Sequence, residues 1–176
     1  MAFFPCVYFC QMSQYMQSLG ALNYRSLTAA EAIDKILDRQ NRRNEYLQLL
    51  TKLVAICLKR SLRLVFENPI TDSFLNNYFL KQPDIKDMDR RKSGDCYKKP
   101  TGFWFFGCKP TFGESFTRPP EEKTVTTSKQ GSMAGLCSEE RSMISPAYAR
   151  NFICDHILGR EQVGSQRMLF NEEELA

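Results

Sequence analysis

An α/β fold is predicted by three features of the sequence. A helix start is signalled at Thr28, an apolar helical stretch runs on to Lys59, and two strand-like runs follow. Those runs are LRLVFENP (62–69) and KKPTGFWFFG (98–107), both dense in β-branched or aromatic residues. Helical and extended segments that alternate in this way build a sheet with helices packed on it.

The elements follow in chain order. FFPCVYFCQ (3–11) contains Phe, Val and Tyr at strand density, so a short strand is predicted over 3–9. Thr28 and Glu31 form a capping box, in which each side chain satisfies the other's free backbone donor. Ala30, Ile33, Ile36 and Leu37 supply the first apolar stripe of the helix. Leu47, Leu50, Val54 and Cys57 supply the second, with Lys59 and Arg60 at the end where the helix dipole favours cations. LRLVFENP reads as a buried strand ending in a polar turn. DSFLNNYFL (72–80) reads as a short helix and PDIKDMDRR (83–91) as a further strand with Asp84 near its start. ISPAYARNFICDHIL (144–158) is a final helix with Pro146 in its first turn. About 109–140 is a long loop rich in Ser, Thr, Pro and charge, and 161–176 a flexible tail, leaving 1–160 as one domain.

Composition narrows the partners. Apolar residues make up 43% and charged residues 25%, which allows a sizeable core. The net charge of +4 admits a phosphate-rich partner. No run approaches the roughly 18 apolar residues of a membrane span, so no membrane is expected. The start, MAFFPCVYFCQM, lacks the basic region of a signal peptide. The cysteines stand at 6, 10, 57, 96, 108, 137 and 154 with no C-x-x-C pair, and His156 is the one histidine. That spacing offers no metal site, and it suits reduced cysteines in the cytoplasm.

Three segments carry the chemistry: Pro5-Cys6, Glu67-Asn68-Pro69 and KKPTGFWF (98–105). In open α/β sheets the carboxyl ends of strands line the ligand crevice, so a cysteine and a carboxylate on two such ends can face one molecule. In this order the segments resemble the cytosine-C5 DNA methyltransferases. RLVFENP, MDRRKSGDCYKKPTGFWF and SEERSMISPAYARNFICDHI resemble the phage and mobile-element branch of that family most closely.

The resemblance implies a partial Rossmann-like methyltransferase sheet with flanking helices, N-terminally truncated because no cofactor-binding half precedes Cys6. It implies double-stranded DNA as substrate and S-adenosylmethionine as methyl donor, with the chain inactive alone and either completed by a cofactor-binding partner chain or the product of a truncated open reading frame. Cys6 would be the nucleophile: a thiolate added at cytosine carbon-6 makes carbon-5 reactive. Glu67 would act at ring nitrogen 3, where a proton is gained. Asn68 and Pro69 would fix the turn that aims Glu67, and Lys99 and Thr101 of the KPT segment would contact substrate. Arg90 and Arg91 stand nearest to the family's arginine-bearing segment, with one of them expected at the crevice rim. The family's Gly-rich turn and its Gly-Asn element before the last helix have no counterpart here.

Simpler readings stand beside these. Cys10 reads as structural, and Cys6 taken alone would too. Arg90, Arg91, Lys92, Lys98 and Lys99 each read as part of a solvated basic turn, though together they could contact phosphates. Phe103 to Phe106 read as sheet core, and His156 as structural. The alternative function is a non-catalytic remnant that binds nucleic acid.

Overall fold

The computed structural model describes residues 2–3, 8–9, 18–70, 75, 79–96, 98–114 and 143–159. Among them, contacts define two compact units, Met1–Asp87 with Pro100–Lys109, and Met88–Lys99 with Pro110–Ala176. The sequence reading had grouped 1–160 as one domain.

The first unit is organised by helix α1 (Ala29–Lys59). Thr28 caps it as predicted. The Thr28 side chain accepts from the Glu31 backbone N–H at 3.3 Å, and the Glu31 carboxylate accepts from the Thr28 N–H at 2.8 Å. A cap of this kind stabilises a helix by about 1 kcal/mol. The two apolar stretches form one uninterrupted helix. It ends where Ser61 takes a left-handed φ of 54° and the Leu62 N–H reaches back to the Cys57 carbonyl at 2.8 Å.

The phase of α1 is set by Leu50, Val54 and Cys57, all buried in the main core. Carried back along the helix, that phase brings Ala32 and Ile36 inward, against Ala21 and Tyr24. Ile33 and Leu37, expected in the apolar stripe, instead lie 46% and 50% exposed. Ala30 is exposed as well. The half-buried Arg39 and Arg43 occupy the inward stripe between its two apolar ends. Long arginine stems can cover apolar surface while their heads reach water. Burial lowers the Arg43 pKa from its usual value.

Four strands form the sheet in the order β1 (Ala2–Phe3), β2 (Leu64–Pro69), β4 (Thr101–Phe106), β3 (Ile85–Asp87). β1 runs parallel to β2, while β4 is antiparallel to both β2 and β3. The described unit is therefore an α/β arrangement whose sheet is mainly antiparallel.

Side chains alternate across the strands. Leu64, Phe66, Trp104 and Phe106 join Leu50, Val54 and Cys57 in the core. Phe66 stacks on its cross-strand partner Trp104 with centroids 4.9 Å apart, a pairing worth roughly 0.5–1.5 kcal/mol beyond burial. Val65, Phe103 and Phe105 point to the other face and are buried too. This agrees with reading Phe103 to Phe106 as core.

Residues 81–84 fasten the sheet edge. The Asp84 carboxylate accepts from the Phe105 N–H at 2.8 Å, and the Lys81 ammonium donates to the Phe105 carbonyl at 2.6 Å. The Trp104 indole N–H donates to the Lys81 carbonyl at 2.9 Å.

In the second unit, helix α2 (Pro146–Phe152) begins with Pro146 at its first turn and passes into a π-helical segment, Ile153–Leu158. The Thr111 and Gly113 N–H groups donate to the carbonyls of His156 and Asp155, both at 2.9 Å. His156 Nδ1 lies 3.1 Å from the Thr111 carbonyl, within hydrogen-bonding distance. Of the remaining expectations, the helix over 72–80 (apart from Leu75, Phe79 and Leu80), most of the 109–140 loop and the 161–176 tail lie outside the described residues.

Candidate functional site

Glu67 sits in the middle of an inner strand. Its register partners are Phe3 on parallel β1 and Phe103 on antiparallel β4. The residue is 6% exposed, on the face shared with Val65 and Phe103. Two strands and an apolar face fix its backbone, which makes it a pre-oriented carboxyl rather than a mobile surface one.

Asn68 lies opposite Gly102 and is fully buried, and Pro69 lies opposite Thr101, which is fully buried too. The ladder thus brings Glu67-Asn68-Pro69 and the Thr101 end of the KPT segment together. Expected as a turn, Glu67-Asn68-Pro69 is instead the last half of β2 itself. The close approach is possible because residue 102 is glycine. A Cβ there would collide with the Ile70 side chain and stand 3.0 Å from Trp104 and 3.1 Å from Pro83. Sequence reasoning passed over Gly102. Its position within an aromatic strand was the available signal, since an interior glycine marks a close approach.

Cys6 lies outside the described residues, as does Cys10. β1 (Ala2–Phe3) is the parallel neighbour of β2, but the expectation that Cys6 and Glu67 end adjacent parallel strands falls on Cys6, outside the described residues, and Glu67 lies within β2 rather than at its end. The free cysteines among the described residues are Cys57, which is buried, and the half-buried Cys96, Cys108 and Cys154.

The arginines belong to the second unit, and there the sequence reading needs correction for Arg90. Neither a rim residue nor a solvated cation, it is 0% exposed. It forms an ion pair with buried Asp95 and lies over the Tyr148 ring, 4.5 Å from the centroid. Arg90 begins the short 3-10 turn Arg90–Ser93, which Gly94 closes with a left-handed φ of 97°. Helix α2 clamps that turn. Ser145 Oγ donates to the Gly94 carbonyl at 2.7 Å, and Asn151 Nδ2 donates to the Ser93 carbonyl at 2.9 Å.

Arg91 is half-buried and binds Asp89 in a fork, Nε to Oδ1 at 2.8 Å and an outer nitrogen to Oδ2 at 2.7 Å. That hydrogen bonding lowers the Asp89 pKa to about 2. Lys92 and Lys98 are exposed and Lys99 is half-exposed.

A hollow of about 500 Å³ is lined by Tyr8, Asp38, Arg42, Glu45, Tyr46 and neighbours on α1, with Tyr8 stacked on Tyr46 at 5.0 Å. No candidate residue lines it. Among the described residues there is no grouping of three or more metal-ligating side chains, and no helix long and apolar enough to cross a membrane. No protein-family model, no curated protein and no solved structure matches this chain.

Proposed function

We propose that this chain is the catalytic segment of a cytosine-C5 DNA methyltransferase of the phage and mobile-element type. The observation that supports it is the register of Phe3 against Glu67 on adjacent parallel strands. β1 and β2 run in one direction, and Phe3, which precedes Pro5-Cys6 in the sequence, is the register partner of Glu67.

In this reading the Cys6 thiolate adds to carbon-6 of a cytosine taken out of the duplex stack. Glu67 gives a proton to ring nitrogen 3 as the electron pair moves there, leaving carbon-5 enamine-like. Asn68, Pro69 and Thr101 hold the Glu67 strand against β4. S-adenosylmethionine would supply an electrophilic methyl group when bound. Among the described residues no strand runs into a glycine-rich turn, so they make no site for it, and a cofactor-binding partner chain would provide one.

The first half of the reaction can be tested without the methyl donor. Addition at carbon-6 lets carbon-5 take a proton from water, and reversal then expels the original hydrogen. The chain should release tritium from duplex DNA carrying cytosine labelled at carbon-5. Cys6→Ser should abolish release, and Glu67→Gln should slow it by roughly 10²- to 10⁴-fold. Absence of release from the unaltered chain would remove the reading.

A further inference from the structure

We infer that a hollow beside the first half of α1 is a binding site for a small phosphate monoester, held by Arg39 and Lys35. Glu67 does not line it, and the inference stands apart from the methyltransferase reading. The hollow has a volume of about 410 Å³ and shares Tyr8, Asp38 and Arg42 with the larger one described above. Lys35, Arg39 and Arg42 reach it from α1, at spacings of four and three residues that share one side of a helix. Asn23 and Tyr24 close it from the short 3-10 turn Leu22–Tyr24. Tyr24 is buried against Ala21 and Ala32, so that wall is fixed by the fold.

The charges of the hollow do not cancel. Asp38 is the one acidic side chain among its described lining residues, and it is taken up by Arg42, with Nε 3.0 Å from Oδ2. Glu31, one turn before Lys35, is engaged in the Thr28 cap. Arg39 and Lys35 remain, and among the described residues no carboxylate pairs with either. Lys35 is exposed, whereas Arg39 is half-buried and its Nε is enclosed without a hydrogen-bond partner. A guanidinium that gives up water without gaining an acceptor carries a cost, which an oxyanion at its outer nitrogens would offset. Arginine meets phosphate or carboxylate oxygens with two parallel hydrogen bonds. Charge chooses between them: a phosphate monoester carries about −2 near neutral pH and balances both cations, while a single carboxylate leaves one unmatched. The tyrosine walls and the size of the hollow suit an organic body on that phosphate rather than the bare ion.

Titration calorimetry of the full chain with phenyl phosphate, inorganic phosphate and benzoate provides the test. Phenyl phosphate should bind, and the other two should bind more weakly. Arg39→Gln should weaken phenyl phosphate binding by roughly 10- to 100-fold, the effect of losing one charged hydrogen-bond partner. Arg39→Lys, which keeps the charge without the planar fork, should lose less. Lys35→Ala should weaken binding by roughly two- to fivefold, as expected of an exposed cation. That exposure spares the fold, so Lys35→Ala decides the case if Arg39→Gln does not fold. Lys52→Ala, an exposed lysine on α1 outside the hollow, should leave affinity unchanged. No heat with phenyl phosphate, benzoate or inorganic phosphate binding as tightly as phenyl phosphate, unchanged affinity in the Arg39 and Lys35 variants, or an equal loss in Lys52→Ala would each overturn the inference.

Discussion

The guanidinium of Arg90 lies over the ring of Tyr148, 4.5 Å from its centroid, and pairs with Asp95 from the same buried position. Both charged groups are 1% exposed or less, so each depends on the other for the loss of its hydration. Arg90→Ala should destabilise the protein by about 3–5 kcal/mol, because Asp95 would be left buried without its partner. Arg90→Ala combined with Asp95→Ala should cost less than the two single changes added together. Urea unfolding of the four proteins measures that coupling.

At residue 102 the prediction concerns space. Gly102→Ala places a methyl group against the Ile70 side chain, and overpacking of this kind costs about 1–3 kcal/mol. In an Ile70→Ala background the atom in the way is gone, so Gly102→Ala should cost less there than in the parent, although Ile70→Ala itself costs about 2–5 kcal/mol as a core truncation. Thermal unfolding of the two single variants and the double variant decides it. A Gly102→Ala protein as stable as the parent would mean that the approach of the two strands is looser than described.

Ser61 ends α1 with a positive φ, a conformation that costs a residue with a Cβ about 1–2 kcal/mol. Ser61→Gly should relieve that strain and raise stability by up to about 1 kcal/mol, since the added freedom of glycine in the unfolded chain offsets part of the gain. Chemical denaturation provides the measurement.

Acid should loosen the 89–94 turn. The Arg91 fork holds the Asp89 pKa near 2, below its usual value of 3.8. A depressed folded-state pKa means that the contribution to stability is present above about pH 4 and is lost as pH falls towards 2. Asp89→Asn should therefore flatten stability over that interval. Denaturation midpoints between pH 5 and 2 would record the difference from the parent.

What the sequence disclosed was local. Thr28 and Glu31 lie three residues apart and announce a helix start without help from the rest of the chain. β2 and β4 were legible because short apolar runs flanked by polar residues have few other uses. The facing of Ile33 and Leu37 was not legible, because it depends on where Leu50, Val54 and Cys57 meet the sheet more than a dozen residues on. Arg39 and Arg43 hid the true stripe, since an arginine is scored by its head while its stem does the packing. The direction of β4 depends on a connection that composition does not describe. At the candidate site, Glu67 and Thr101 could be nominated from their motifs, but their shared ladder is a matter of register. The burial of Arg90 required Tyr148, 58 positions away, and no pattern around MDRRKS points to it.

The clamp of Ser145 on Gly94 joins positions that are 51 residues apart in the chain. Ordering the turn therefore means closing a long loop, and the entropy of closure grows only with the logarithm of loop length. Doubling that intervening length would cost only about 0.6 kcal/mol. Insertions between the two halves of the clamp are thus cheap in equilibrium terms, while their effect falls on how soon the turn forms. A chain stopped before Ser145 would carry all the basic residues of the turn without the means to hold them in place.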